Sequence, residues 1–230
     1  MKLTIGILSK EIAMGSRPAD WTTLHDAKIV TPEEVGQILQ RAKEAGELDP
    51  MMARDYDWLA IAVNTGLRLS EVAHIERGDV LPSRLMMTRR KKRHLYPAPI
   101  EVMPAVMEIL RRRADAVEDG YIFPGRCAPC LIHRKSKKNG PSVEQVCIGG
   151  HASLRSIQRR WRLLITELGI YKYGRGIHSL RHTAITAMYK LTKDLRKAQV
   201  FAGHSSSKIT EVYAHVTDLA ETLGVMKPLI

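Results

Sequence analysis

Aromatic residues are scarce in this chain: three Trp, seven Tyr and two Phe among 230 residues, or 5%. A core must therefore be filled mainly by aliphatic side chains, and each tyrosine set among polar neighbours needs a reason. Cysteine is short as well. Three Cys, an odd number, do not make a closed disulfide framework, so a disulfide-stapled secreted scaffold is excluded and a reducing bacterial cytoplasm or similar compartment is expected. No apolar run is long enough to span a bilayer. The opening MKLTIGILSKEIAMG meets charge too soon for a secretory leader, so no membrane partner is expected. Acids are the third deficit, 24 against 36 Lys and Arg, for a formal charge of +12. That excess says nothing about fold, but it selects a polyanionic partner, here nucleic acid.

The length suits one globular domain with extensions, or two small domains. Residues 1–30 show no sustained period and read as an N-terminal extension or linker remnant. TPEEVGQILQRAKEAG then opens with Thr31 at the N-cap, Pro32 at N1 and Glu34 at N3, which predicts a helix start. RDYDWLAIAVN (54–64) predicts a buried helix broken by Thr65-Gly66, and Ser70 is placed to cap the next helix, EVAHIER. A period of two follows in RLMMT (84–88) and HLYPAP (94–99), predicting two strands joined by RRKKR as a basic turn. Helical patterns return at 104–117, 153–169, 177–191 and 194–203, with a short strand at YIF (121–123). The expected class is α+β, mainly α-helical, with a small antiparallel sheet at one edge.

Three short segments carry guanidinium and imidazole groups: TGLRLSE with Arg68, HSLRH with His178 and Arg181, and GHSSSKITEVY with His204 and, nine positions on, Tyr213. Each alone is ordinary. Together they suit phosphate chemistry. Two arginines can clamp the non-bridging oxygens of one phosphodiester, and fixed positive charge favours the five-coordinate transition state over the ground state. A free tyrosine, with pKa near 10, needs a base and local positive charge to attack near neutral pH. Imidazoles can orient the phosphate and move protons.

In order and separation these segments resemble the boxes of the tyrosine recombinases, the phage-integrase family of DNA strand-transfer enzymes. The resemblance covers roughly residues 31–220 and implies a catalytic domain at 31–230, with residues 214–230 as a tail that docks on a neighbouring protomer or packs on its own domain. It implies that Arg68 and Arg181 bind the scissile phosphate and that His178 and His204 complete the pocket. Tyr213 would form a 3′-phosphotyrosine, and Glu71 would hold the first box in place. It further implies catalysis without a cofactor, double-stranded DNA as partner, a monomer in solution that becomes a homotetramer on DNA, accessory DNA-bending proteins, and a place on the bacterial nucleoid. Only some thirty residues precede Thr31, too few for the family's separate core-binding domain, so either a catalytic fragment or a short recombinase is expected.

The family's general-acid lysine sits near the end of the first hairpin strand. Counting back from Pro97 lands on Arg89, whose pKa is too high for a good acid; Lys91 in the turn is the candidate, if the register is shifted. The alternative is that the turn residues, Arg89, Arg90, Lys92 and Arg93 with Lys91, only bind the DNA backbone. Residues 124–151 depart from the family pattern. They hold Cys127 and Cys130 as C-x₂-C, and Cys147 and His151 as C-x₃-H, a spacing suited to a structural zinc in a basic insert with little core of its own. The alternative is unpaired thiols in a loop. Three rival functions stay open: a non-catalytic DNA-binding relative, a topoisomerase IB-like or telomere-resolving enzyme, and a zinc-dependent DNA-binding regulator.

Overall fold

The computed structural model describes residues 28–91, 94–100, 102–125 and 151–204. The first helix, α1 (Pro32–Leu48), starts as its sequence dictates. Thr31 accepts from the Glu34 amide at 3.2 Å, and Glu34 accepts from the Thr31 amide at 2.9 Å, a reciprocal capping box with proline at the first turn. Val35, Ile38, Leu39 and Ala42 recur at helical spacing and are buried. Asp49 ends α1 and caps α2 (Pro50–Thr65), accepting from the Met51 amide at 2.8 Å. The two helices lie so close that a Cβ on Gly46 would come within 2.7 Å of the Ala53 backbone.

Helix α2 is the centre of the fold. Trp58 to Val63 are buried without interruption, because α1, the later helix α6 (His178–Thr192) and α4 (Pro104–Asp115) all pack on it. It ends at Gly66, whose left-handed φ of +62° turns the chain. The next helix, α3 (Leu69–Ala73), is shorter than expected and begins one residue after Arg68, so Ser70 lies inside it and does not cap it.

Strands β1 (Leu85–Lys91) and β2 (His94–Ile100) pair antiparallel, with Leu85 opposite Ile100 and Lys91 opposite His94. The basic run is therefore mostly strand: Arg89, Arg90 and Lys91 continue β1, and the reversal falls at 92–93. Leu85, Met87 and Ile100 anchor the hairpin to the core. Among the described residues the sheet has two strands, so each is an edge there, a setting that accommodates Pro97 and Pro99. The expected strand at 121–123 reduces to a single bridge, Tyr121 to Glu76; Ile122 and Phe123 are buried on bends instead.

Helix α5 (Leu154–Glu167) starts at Ser153, which accepts from the Ser156 amide. Just ahead of it, Ala152 donates its amide to the Phe123 carbonyl at 2.8 Å, and Pro124 bridges His151. The two ends of the cysteine-bearing insert are thus held side by side. After α6 comes α7 (Leu195–Ala202), capped by Asp194 and stopped by left-handed Gly203. The described fold is mainly helical with one two-stranded antiparallel sheet, as expected. It also takes in residues assigned to the N-terminal extension. Val30 is fully buried and exchanges two hydrogen bonds with the Thr183 hydroxyl, and the Ile29 carbonyl accepts from buried Arg175.

Candidate active site

The chain turns sharply at Gly66, and α3 begins three residues later, so Arg68 stands at a helix entrance. Glu71 sits one turn into α3. Its carboxylate accepts from the Arg68 amide at 2.7 Å and from Arg68 Nη1 at 2.9 Å. The same carboxylate lies 3.9 Å from Arg181 Nη1. One acid therefore holds two guanidinium groups, one from α3's entrance and one from the first turn of α6.

The two arginines differ in setting. Arg68 is exposed, with 44% of its side chain open to solvent, whereas Arg181 is buried. A buried guanidinium must find acceptors. Arg181 finds two backbone carbonyls at helix ends: Gly66 O at 2.6 Å and Ala202 O at 2.7 Å. Helix C-termini leave carbonyls without intrahelical partners and carry partial negative charge, so these acceptors are suited to a cation.

His178 is the first residue of α6, one turn before Arg181. The residue is exposed, yet neighbouring protein atoms partly desolvate its ring. That desolvation first, then the Arg181 and Arg68 charges, hold its pKa below the usual imidazole value; Glu71 acts in the opposite direction. His178 is thus biased toward the neutral form, which can accept a proton. His204 follows the left-handed turn at Gly203. Its amide donates to the Gln199 carbonyl at 3.0 Å, and the Gln199 side chain donates to the His204 carbonyl at 3.2 Å. Ala202, whose carbonyl takes Arg181, stands two residues ahead, so the third motif is tied to the second.

Arg68, Glu71, His178, Arg181 and the backbone leading to His204 are therefore brought to one place. Lys91 ends β1, opposite His94. Arg89 and Arg90 precede it on that strand. Lys92, Arg93, Tyr213, Cys127, Cys130 and Cys147 lie outside the described residues. His151 is described, and its Nδ1 meets the Ala152 carbonyl at 2.8 Å while its ring lies 4.1 Å, centroid to centroid, from that of His74. Among the described residues no three His, Cys, Asp or Glu side chains gather as a metal site.

Sequence reasoning did not single out Gln199, Gly66 O or Ala202 O. Gln199 had a signal, a polar residue at a buried helical position one turn before the Gly-His pair. Carbonyl acceptors have none, because every residue carries one.

The family model described as Phage integrase family matches residues 28–219. A tyrosine recombinase XerC of Xanthomonas axonopodis pv. citri is 30% identical over 194 residues, covering 80% of this chain and 56% of the relative. A tyrosine recombinase XerC of Mycobacterium leprae is 30% identical over 193 residues, with 82% and 59% covered. The chain thus spans little more than half the length of the relatives it matches. The fold is similar to that of a crystal structure of XerA recombinase, at TM-score 0.60 and 21% identity over 84% of this chain and 61% of that one. It is also similar to XerH site-specific recombinase bound to palindromic difH substrate in a post-cleavage complex, at TM-score 0.62 and 17% identity over 85% and 52%. With a family match running through all three arginine, histidine and tyrosine segments, the chain belongs to the phage integrase family of tyrosine recombinases.

Proposed function

We propose that this domain cuts and rejoins duplex DNA at specific sites through a 3′-phosphotyrosine intermediate. The observation that carries this reading is the cluster in which Glu71 holds Arg68 and Arg181 together beside a His178 biased toward neutrality. Arg68 and Arg181 receive the non-bridging oxygens of the scissile phosphodiester. The Tyr213 oxygen attacks phosphorus, losing its proton toward the neutral imidazole of His178. The P–O5′ bond breaks as the P–O(Tyr) bond forms, and the departing 5′-oxygen takes a proton from Lys91. His204 donates to the phosphate. Because one phosphodiester is exchanged for another, rejoining is the same step reversed and needs no ATP. The negative charge that grows on phosphorus is met by guanidinium groups fixed before substrate arrives.

The excess of 12 positive charges supports double-stranded DNA as the substrate. A homotetramer on DNA, monomers in solution, help from DNA-bending proteins and a cytoplasmic, nucleoid-bound location follow from the same reading. Among the described residues no helix is long and apolar enough to cross a membrane.

A structural zinc held by Cys127, Cys130, Cys147 and His151 belongs to the proposal too. What supports it is the ligand spacing, the closed neck at Pro124 and His151, and the His151 ring itself. A carbonyl can only accept, so Nδ1 donates to Ala152 O, which leaves Nε2 as the nitrogen that would take a metal.

The test is covalent capture. The protein is mixed with a pool of nicked duplexes carrying a randomised segment, and adducts surviving denaturing electrophoresis are sequenced. Adducts from the wild type but not from Tyr213→Phe are expected. DNA binding without any adduct from the wild type would leave a binding protein in place of a strand-transfer enzyme.

A further inference from the structure

Arg181 owes its position to two carbonyls on helix ends far apart in sequence: Gly66 at the end of α2 and Ala202 at the end of α7. Whatever sets the spacing of those ends sets the guanidinium. The contact that joins them directly is made by Phe201. A Cβ built on Gly66 would lie 2.7 Å from Phe201 Cε1 and 3.2 Å from Cζ, with Ala184 Cβ at 3.5 Å. The ring therefore rests on the Cα of the residue whose carbonyl holds one side of Arg181. The next residue in the chain, Ala202, holds the other side. This makes a closed circuit: Gly66 carbonyl, Arg181 guanidinium, Ala202 carbonyl, Phe201 ring, Gly66 Cα.

Helix α7 needs such a strut. It has eight residues, it exposes Val200 at 64%, and, beside the buried Ala198, its apolar packing is a small cluster apart from the main core, made of Ile185, Ala202 and Phe201. An element of that size is held by few contacts and shifts readily when one is lost. A group that must meet a phosphate has to be held within about 0.5 Å.

We propose that Phe201 is a positioning residue for Arg181, and that Gly66 lacks a side chain so that the ring can close on it. This rests on the reading of Arg181 as a phosphate ligand for its effect on catalysis, but not for its effect on Arg181 itself. The test therefore has two arms, both on the full chain.

In the first arm, without DNA, the Arg181 guanidinium N–H signals are followed by NMR and assigned by their loss in Arg181→Lys. They are expected to shift or broaden in Phe201→Ala and to stay in place in Phe201→Tyr, which keeps the ring. In the second arm, the rate of covalent capture of the nicked duplex pool is expected to fall about 10- to 100-fold in Phe201→Ala. Affinity for the same duplexes should change far less, and Phe201→Tyr should recover the rate. Gly66→Ala also loses rate, partly through its positive φ, so the double variant Gly66→Ala/Phe201→Ala isolates the contact: a combined loss smaller than the product of the single losses is expected. Should Phe201→Ala melt at the assay temperature, Phe201→Leu carries both arms. Unmoved Arg181 signals in Phe201→Ala would overturn the inference. Signals that move in Phe201→Ala, together with a wild type that captures no DNA, would uphold it and sink the strand-transfer reading instead.

Discussion

Arg181 donates from Nη1 to the carbonyl of Gly66 at 2.6 Å, across 115 positions of sequence. A residue expected to touch substrate is thus also a structural bolt between α2 and α6. Arg181→Lys separates the two roles, since an ammonium keeps the charge but cannot span two carbonyls as a planar fork does. Folding stability should drop by roughly 1–3 kcal/mol for each carbonyl left buried and unpaired, read by urea denaturation. Covalent capture should drop more steeply, by about 10² to 10³.

The imidazole of His178 has a pKa below its ordinary value, and the sign of the consequence is definite. Between the usual imidazole range near 6.5 and the lower folded value, the unfolded chain binds more protons than the folded one. Stability therefore falls as pH drops through that window, and no contribution remains above it. His178→Asn should flatten this acid-side slope. In the intact protein, Arg68→Gln should raise the His178 midpoint and Glu71→Gln should lower it, as followed by NMR titration. A midpoint that ignores both changes would show that the cluster does not act on His178.

Lys91 closes β1, and its role can be tested by the leaving group rather than by loss of activity alone. Replacing the bridging 5′-oxygen with sulfur gives a thiolate that departs without a proton. Lys91→Ala should be slow on ordinary nicked duplexes and recover on the sulfur-bridged ones, while Arg89→Ala should show no such recovery. If Arg89→Ala is the variant rescued, the acid sits two residues earlier on the strand.

Asp57 is buried on α2 and accepts from Arg112 and Arg113 of α4, both at 2.5 Å. Asp57→Asn leaves those guanidinium groups without their charge partner. The expected cost is toward the lower end of about 3–5 kcal/mol, because Arg112 is 60% exposed and can be rehydrated. Denaturant unfolding reads it. The affinity for DNA, measured where the variant is still folded, should hold.

Zinc can be counted. One equivalent per chain is expected from metal analysis, falling to none in Cys127→Ser/Cys130→Ser. A wild type purified without chelator that carries no zinc would remove the metal from the proposal.

The sequence announced the helices well where the signals were local. Thr31, Pro32 and Glu34 form the capping box they predict, and Asp194 and Gly203 bound α7 as their types suggest. Local rules failed where a competing partner decides. Ser70 is a good cap by type, but the Glu71 carboxylate takes the Arg68 amide, and α3 begins earlier. RRKKR has turn-like polarity, yet pairing across the hairpin carries β1 through Lys91. YIF is made of strand-favouring residue types but has one bridging partner and no ladder.

The candidate site divides along the same line. Residue types and spacing pointed to Arg68, His178, Arg181 and His204, because phosphate chemistry calls for side chains of those kinds and the motifs hold them in order, while Glu71 was named through the family resemblance. What the order of residues does not contain is how each is held. The acceptors of Arg181 are main-chain oxygens whose importance comes from being at two helix ends that meet. The strut at Gly66 and Phe201 exists because α2 and α7 are brought into contact by packing on α6. Hydrogen-bond partners more than 100 positions apart are chosen by how the helices pack, and that is a property of the assembled core rather than of any stretch of chain.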